Sequence, residues 1–360
     1  MSAAIEPRAR FAGIPWRTVA LVVLSVLILG IVLVGAYRTL TLPTAERYAW
    51  ATWERFILNG LAQGGIIALI ALGYSLVYGI LRMINFAHGE VFMFGAFGAY
   101  FFADAYAESG FLDRHPFPAL AIALVAAMVV SVVVALLVER IAYRPLRNAP
   151  RLVPLITAIG ASLFLQNSAR GFFGTTTYGF PVPAPLQGSW FPFGLEVTKV
   201  QGIVFVVVAV AVVGLSLFVS RTLTGKAMRA VAEDGDIASL MGVKVDRVVV
   251  VTFALGGLLA GIAAVLFAMT YAQVNFVMGF RPGIAAFTAA VLGGIGSIAG
   301  AAVGGLLLGL LQNVGPALVL TGFGVPSPFQ LKDAFTFLVL VLVLIFRPGG
   351  ILGTGEAEKL

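Results

Sequence analysis

The chain has 360 residues, 60% of them hydrophobic and 11% charged, a formal net charge of +7 and no cysteine. Globular domains are about half apolar and about a quarter charged, so a water-soluble fold cannot hide this much apolar surface, and lipid is the solvent for most of the chain. Disulfides, thiolate metal sites and cysteine nucleophiles are excluded by inventory, and the basic excess, which would suggest nucleic acid in a soluble protein, has a topological explanation here.

Apolar runs of about 18 residues or more mark bilayer-crossing helices. Ten such spans are predicted, near 19–37, 58–80, 86–106, 119–138, 152–172, 202–220, 248–271, 284–300, 301–319 and 333–347. The first follows Arg8, Arg10 and Arg17 and precedes Val34-Gly35-Ala36, the outline of a signal peptide. Its apolar core exceeds the usual length of about 7 to 15 residues, which predicts a retained anchor. The eighth and ninth share one glycine-rich tract, Gly293, Gly294, Gly296 and Gly300 running on to Gly304 and Gly305. That tract reads as one bent span, two spans or a re-entrant pair. Its glycines let backbones approach closely, a packing role common in membranes.

Lys and Arg are retained on the cytoplasmic side of short loops. With the N-terminus inside, fifteen of the 23 basic residues fall inside, among them Arg82, Arg140, Arg144, Arg147, Arg151, Arg221, Lys226, Arg229, Lys244, Arg247, Arg347 and Lys359. Ten crossings then put the C-terminal tail, 354–360, inside as well. Gly60-Leu61-Ala62-Gln63-Gly64 and Gly257-Leu258-Leu259-Ala260-Gly261 share the faint likeness that inverted repeats leave, although ordinary glycine packing gives the same pattern.

Polar residues at membrane depth gather in Ile84-Asn85-Phe86-Ala87-His88-Gly89-Glu90, which closes the second span and opens the third. A carboxylate inside a span costs about 2.5–3.5 kcal/mol at the helix centre, less toward the interface, so Glu90 must face protein or water. In the first turns of a helix its negative charge suits the macrodipole. Asn85, His88 and Glu90 either knit two helices together by hydrogen bonds or line the solute pathway. A metal site is not predicted, because the only other histidine, His115, lies in a loop on the far side.

Between the sixth and seventh spans, residues 221–247 form a long charged inside loop. Ala227, Ala230, Val231, Ile237, Ala238 and Met241 fall near one face at helical spacing, with a break expected at Gly235. Such a helix rests on headgroups or docks on a partner; the lack of Trp and Phe favours a partner. Asp236-Ile237-Ala238-Ser239-Leu240-Met241-Gly242 resembles the coupling loop of ABC importer permeases, Glu-Ala-Ala, three residues, then Gly. It departs at Ile237 and lacks the hydrophobic-Pro ending. Gly225-Lys226-Ala227-Met228-Arg229-Ala230, Ala238 to Gly242 and the Ile84 to Glu90 stretch are similar to the permeases that import branched-chain amino acids.

The likeness covers about Leu58 to Gly353. It implies an all-α, polytopic membrane protein with eight to ten, and about ten, crossings, a type II-like ABC importer permease bundle in the bacterial inner membrane with both termini cytoplasmic. Residues 1–56 would be an extension and 57–353 the permease domain. The resemblance also implies a homologous second permease, two cytoplasmic ATPase subunits and a periplasmic binding protein. ATPase contact falls on Gly225, Lys226, Arg229, Ala230, Glu233, Asp236, Ala238 and Gly242. No Gly-x-x-x-x-Gly-Lys-Ser/Thr motif is present, so ATP would be bound by the partners and no cofactor by this chain. The nucleophile elbow and the His-Glu-x-x-His zinc motif are equally missing. A urea or short-amide permease of the same group, and a secondary transporter or channel without an ATPase, remain alternatives.

Overall fold

A computed structural model describes residues 16–43, 47–147, 149–150 and 152–353. Arg8, Arg10, Arg151, Lys359 and the tail 354–360 lie outside the described residues. The helices in chain order are α1 (Trp16–Leu40), α2 (Trp50–Leu81), α3 (His88–Glu108), the one-turn α4 (Phe111–Arg114), α5 (Pro116–Val138), α6 (Leu152–Phe173), α7 (Lys199–Arg221), α8 (Leu223–Glu233), α9 (Gly235–Leu240), α10 (Val245–Tyr271), α11 (Phe280–Gly293), α12 (Ile298–Val319) and α13 (Lys332–Phe346). Eight are long and apolar enough to cross a membrane. With α3 and α11 they account for all ten predicted spans, an all-α membrane fold.

Helices α2 and α10 run antiparallel at the centre and are buried on most of their surface. Lipid is as apolar as leucine, so hydrophobicity cannot drive helices together; close contact between small residues does. Along α2, a side chain added at Gly64 would lie 2.8 Å from Gly305 O of α12, and one at Gly309 would run into Gly60 O and Gly64 Cα. Along α10, Gly257 and Gly261 take the same part against α5, where a Cβ would sit 2.8 Å from Ser131 O and 2.7 Å from Met128 Cα. The two Gly-x-x-x-Gly segments noted in the sequence thus each mark a helix contact, with different partners. Helices α1, α6, α7 and α13 surround this centre and keep long apolar side chains exposed, as Leu27, Ile156, Val206 and Leu338 show.

The predicted loops sort to two ends. At one end lie α8 and α9, the π-helical turn Glu139–Tyr143, Arg82, the 294–297 turn and the residues after Arg347. They are tied by Arg82 Nη2 to Ala232 O (3.3 Å), by Arg144 and Arg147 to Asp246, and by Ile351 N to Leu292 O (2.9 Å). At the other end Arg55 pairs with Glu196 (2.7 Å), and Tyr178–Gly179 forms a two-residue antiparallel ladder with Gln273–Val274.

The glycine-rich tract departs from two full spans. Helix α11 has 14 residues, roughly 21 Å at 1.5 Å per residue, short of a hydrocarbon core of about 30 Å. It begins at Phe280 and stops where Gly294 (φ 108°) and Gly296 (φ 92°) turn the chain, a conformation that bars other residues. Gly294 and Gly296 therefore serve the turn, Gly296 lying against Gly79 of α2 as well, whereas Gly293 and Gly300 press backbone to backbone across the α11–α12 corner. Ser297 caps α12 by accepting from Gly300 N at 3.0 Å.

Replacing Gly309 by Val is expected to destabilise the α2–α12 contact by about 1–3 kcal/mol, as overpacking does. Gly160→Ala, where nothing lies within 4 Å, is the neutral control. Thermal unfolding of the two purified variants measures the difference.

Candidate functional site

Helix α2 ends at Leu81 because Arg82 takes a left-handed backbone (φ 54°). The chain then turns back between the helices and starts α3 at His88. The His88 ring occupies a notch over Gly73, where any Cβ would collide with it, and lies 3.5 Å from the Cβ position of Gly256. Gly73 stands eight residues before the end of α2 (81 − 73) and Gly256 eleven after the start of α10 (256 − 245). Those offsets are roughly 12 and 16 Å along the axes, deep in a core of about 30 Å. Asn85, His88 and Glu90 are thus brought together, each at most 2% exposed.

Asn85 is held from below. Tyr143, in the π-helical turn, points its hydroxyl at Ile84 O (3.0 Å) and Asn85 Oδ1 (3.2 Å). His88 packs edge-on against Tyr74, centroids 5.1 Å apart, and its Nε2 has no hydrogen-bond partner. Glu90 accepts from Ser162 Oγ of α6 at 3.3 Å through Oε1, while Oε2 is buried without a partner. The expected glue of hydrogen bonds is therefore incomplete: Asn85 is tied, while His88 leaves Nε2 and Glu90 leaves Oε2 without a partner.

A second re-entrant segment faces the first, and the sequence reading missed it. Helix α10 ends at Tyr271 because Ala272 is left-handed (φ 51°); among the described residues Arg82 and Ala272 are the two non-glycines of positive φ. Such a residue is uncommon and strained. The segments that follow, Arg82-Met83-Ile84-Asn85-Phe86-Ala87-His88-Gly89-Glu90 and Ala272-Gln273-Val274-Asn275-Phe276-Val277-Met278-Gly279-Phe280, share Asn, Phe and Gly at a spacing of 190 residues (272 − 82). That repeat was the available signal; the pairing of glycine motifs at 60–64 and 257–261 sits at 197 and is out of register with it. The segments enter from opposite ends, and their tips touch: a Cβ on Gly89 would be 2.5 Å from Gly279 O. Each leads into a helix that starts at depth, α3 toward one face and α11 toward the other, the inverted arrangement of broken helices seen in many transporters.

A cavity of about 900 Å³ lies against both tips. Its walls include Phe86, Gly89 and Glu90 from the first segment, Asn275, Met278 and Gly279 from the second, Ile66 and Ile67 of α2, and Ser162, Leu163 and Gln166 of α6. Arg281 and Asp333, 3.5 Å apart and both solvent-exposed, stand at its rim.

The loop between α7 and α10 departs from the predicted face. Asp234 is extended and caps α9, accepting from Asp236 N and Ile237 N at 2.9 Å. That break resets the helical phase, so one periodicity cannot run from Ala227 to Met241. Gly225, Met228, Val231 and Ala238 are buried, Gly225 at the tight α7–α8 corner. Ala230 turns outward, and Ile237, Leu240 and Met241 are 60%, 87% and 80% exposed, with Leu223 at 83%. Lys226, Arg229, Glu233, Asp236 and Gly242 are exposed as well, whereas Gly225 and Ala238 are buried against the bundle.

Residues 56–344 match the family described as branched-chain amino acid transport system / permease component. This chain belongs to that family. It is 45% identical over 306 residues to the high-affinity branched-chain amino acid transport system permease protein BraD of Pseudomonas aeruginosa, a match spanning 84% of this chain and 96% of that one. Its identity to the permease protein LivH of the corresponding system in Escherichia coli is 40% over 320 residues, 88% of this chain and 99% of that one. The autoinducer 2 import system permease protein LsrD of Yersinia enterocolitica is 29% identical over 207 residues, 54% of this chain and 59% of that one. The matched region of this permease begins after α1 and takes in both re-entrant segments and the α8–α9 element.

Tyr143→Phe removes the donor that two acceptors of the first segment share. A loss of about 1–3 kcal/mol is expected for buried acceptors left without a partner, read as a lower unfolding midpoint of the purified permease.

Proposed function

We propose that the permease is the channel subunit of an ATP-driven importer that carries leucine, isoleucine and valine across the bacterial inner membrane. It works with a homologous second permease, two ATPase subunits and a periplasmic binding protein. The α8–α9 face is cytoplasmic on this reading, since most Lys and Arg residues lie there, and ATP is bound by the partners.

The observation that carries the proposal is the open apolar side of α8 and α9. Leu223, Ile237, Leu240 and Met241 stand exposed among Lys226, Arg229, Glu233 and Asp236. Large apolar side chains left exposed on a charged loop mark a protein contact, and a short helix offering anchors to a groove is a common way to build one. Two ties carry force inward from it. Arg82 joins α8 to the base of the first re-entrant segment through Ala232 O. Asp246, at the first turn of α10, joins Arg144 and Arg147, next to Tyr143, which holds Asn85. ATP-driven movement of the docked subunit would thus reach the depth of the membrane through Arg82 and Tyr143. The residues Asn85, His88 and Glu90 line or gate the pathway there, as two packed arrangements exchange.

Ile237→Asp with Leu240→Asp should weaken ATPase binding by tenfold or more, since burying each aliphatic side chain is worth about 1.5–3 kcal/mol. Arg229→Ala and Glu233→Ala should lower ATP-coupled uptake without loss of inserted protein. Co-purification of the ATPase and leucine uptake in vesicles read these outcomes. Full uptake in all three variants would remove the coupling role, and uptake of urea or short amides in place of leucine would reassign the solute.

A further inference from the structure

We infer that the cavity is itself a transit site for the solute, and that Glu90 receives the solute's ammonium group. The inference rests on the importer reading above and gives the site its chemistry.

Three observations converge on it. The Glu90 side chain lines the cavity and is 1% exposed, and its Oε2 is buried without a partner. A carboxylate is expensive at this depth, and among the described residues no Lys or Arg forms an ion pair with it. Second, the inverted repeat isolates this residue. At the 190-residue spacing the partner of Glu90 is Phe280 (280 − 90), so two otherwise similar tips differ by one carboxylate and one ring. Gly279 leaves the space that Oε2 occupies, since a Cβ there would lie 2.8 Å from it. The acid is therefore no product of the scaffold, which is built twice and carries it once.

Third, the remaining walls suit the rest of an aliphatic amino acid. Ile66, Ile67, Phe86, Leu163 and Met278 offer apolar surface for a branched side chain. Two of the lining amides are already engaged: Gln63 donates to Gln312 Oε1 at 2.8 Å, and Gln312 donates to Thr336 Oγ1. Asn275 uses its oxygen to accept from Val277 N at 3.2 Å, which leaves its amide nitrogen to donate to a carboxylate. The volume, about 900 Å³, is at the upper end for small-molecule pockets of about 300–1,000 Å³. It admits an amino acid with water and holds it loosely, as a site of passage requires.

A carboxylate that only joined α3 to α6 would respond to none of the following ligands. The complex, purified with its partner subunits and free of the solute-binding protein, is tested by thermal shift at millimolar L-leucine, 3-methylbutylamine and 4-methylpentanoate. The amino acid and the amine, which carry the ammonium group, should raise the midpoint; the acid, which lacks it, should not. Glu90→Gln keeps the shape and the Ser162 contact, and should abolish both shifts and cut leucine uptake at least tenfold in vesicles. Equal shifts with 4-methylpentanoate, or unchanged shifts and uptake in E90Q, would overturn the site, and the wild-type comparison decides even where E90Q folds poorly. Amine binding that depends on Glu90 in a protein that moves no leucine would support the site and remove the importer reading instead.

Discussion

Backbone that is neither helix nor closed sheet can exist in a bilayer only where protein or a water-filled cavity receives its polar groups. This permease sends irregular backbone back to membrane depth twice, in the segments that follow Leu81 and Tyr271, and the rest of its architecture answers that constraint. The two irregular segments meet at Gly89 and Gly279, where side chains would not fit. Around them, α2 and α10 pack on α12 and α5 through glycines, which leaves little room for lipid beside the broken backbone. The left-handed residues that start each break are arginine and alanine, not glycine. That strain, of order 1–3 kcal/mol per residue, persists only because the surrounding helices hold it.

Much of the fold was legible in the sequence because hydropathy reports lipid exposure directly. All ten predicted spans correspond to helices, and Lys and Arg sort the loops to two ends as the structure does. Where reading by hydropathy failed, the cause was local geometry. A run such as Ile284 to Gly300 looks continuous on a hydropathy scale, yet the turn at Gly294 and Gly296 depends on positive φ, which composition does not reveal. The element between α7 and α10 failed for a related reason. Asp234 caps a new helix, so the face predicted from one period over 227–241 does not exist.

The depth of Asn85, His88 and Glu90 was legible as a cluster, and their surroundings were not. Tyr143 lies 58 residues from Asn85 and belongs to a π-helical turn that periodicity could not announce. Ser162 comes from a helix whose sequence reads as an ordinary span. The second re-entrant segment was visible in principle, in the Asn-Phe-x-x-Gly it shares with the first, but three identities in nine positions stand out only once both copies are known to follow a broken helix.

The notch at Gly73 bears on how such a bundle can move. An imidazole seated in a space one side chain wide acts as a detent: α3 cannot creep along α2 by fractions of an ångström, because the ring must leave its seat entirely before the helices can slip. Close-packed interiors favour discrete arrangements over continuous deformation. A carrier built around such a catch would pass between its resting positions in a single click.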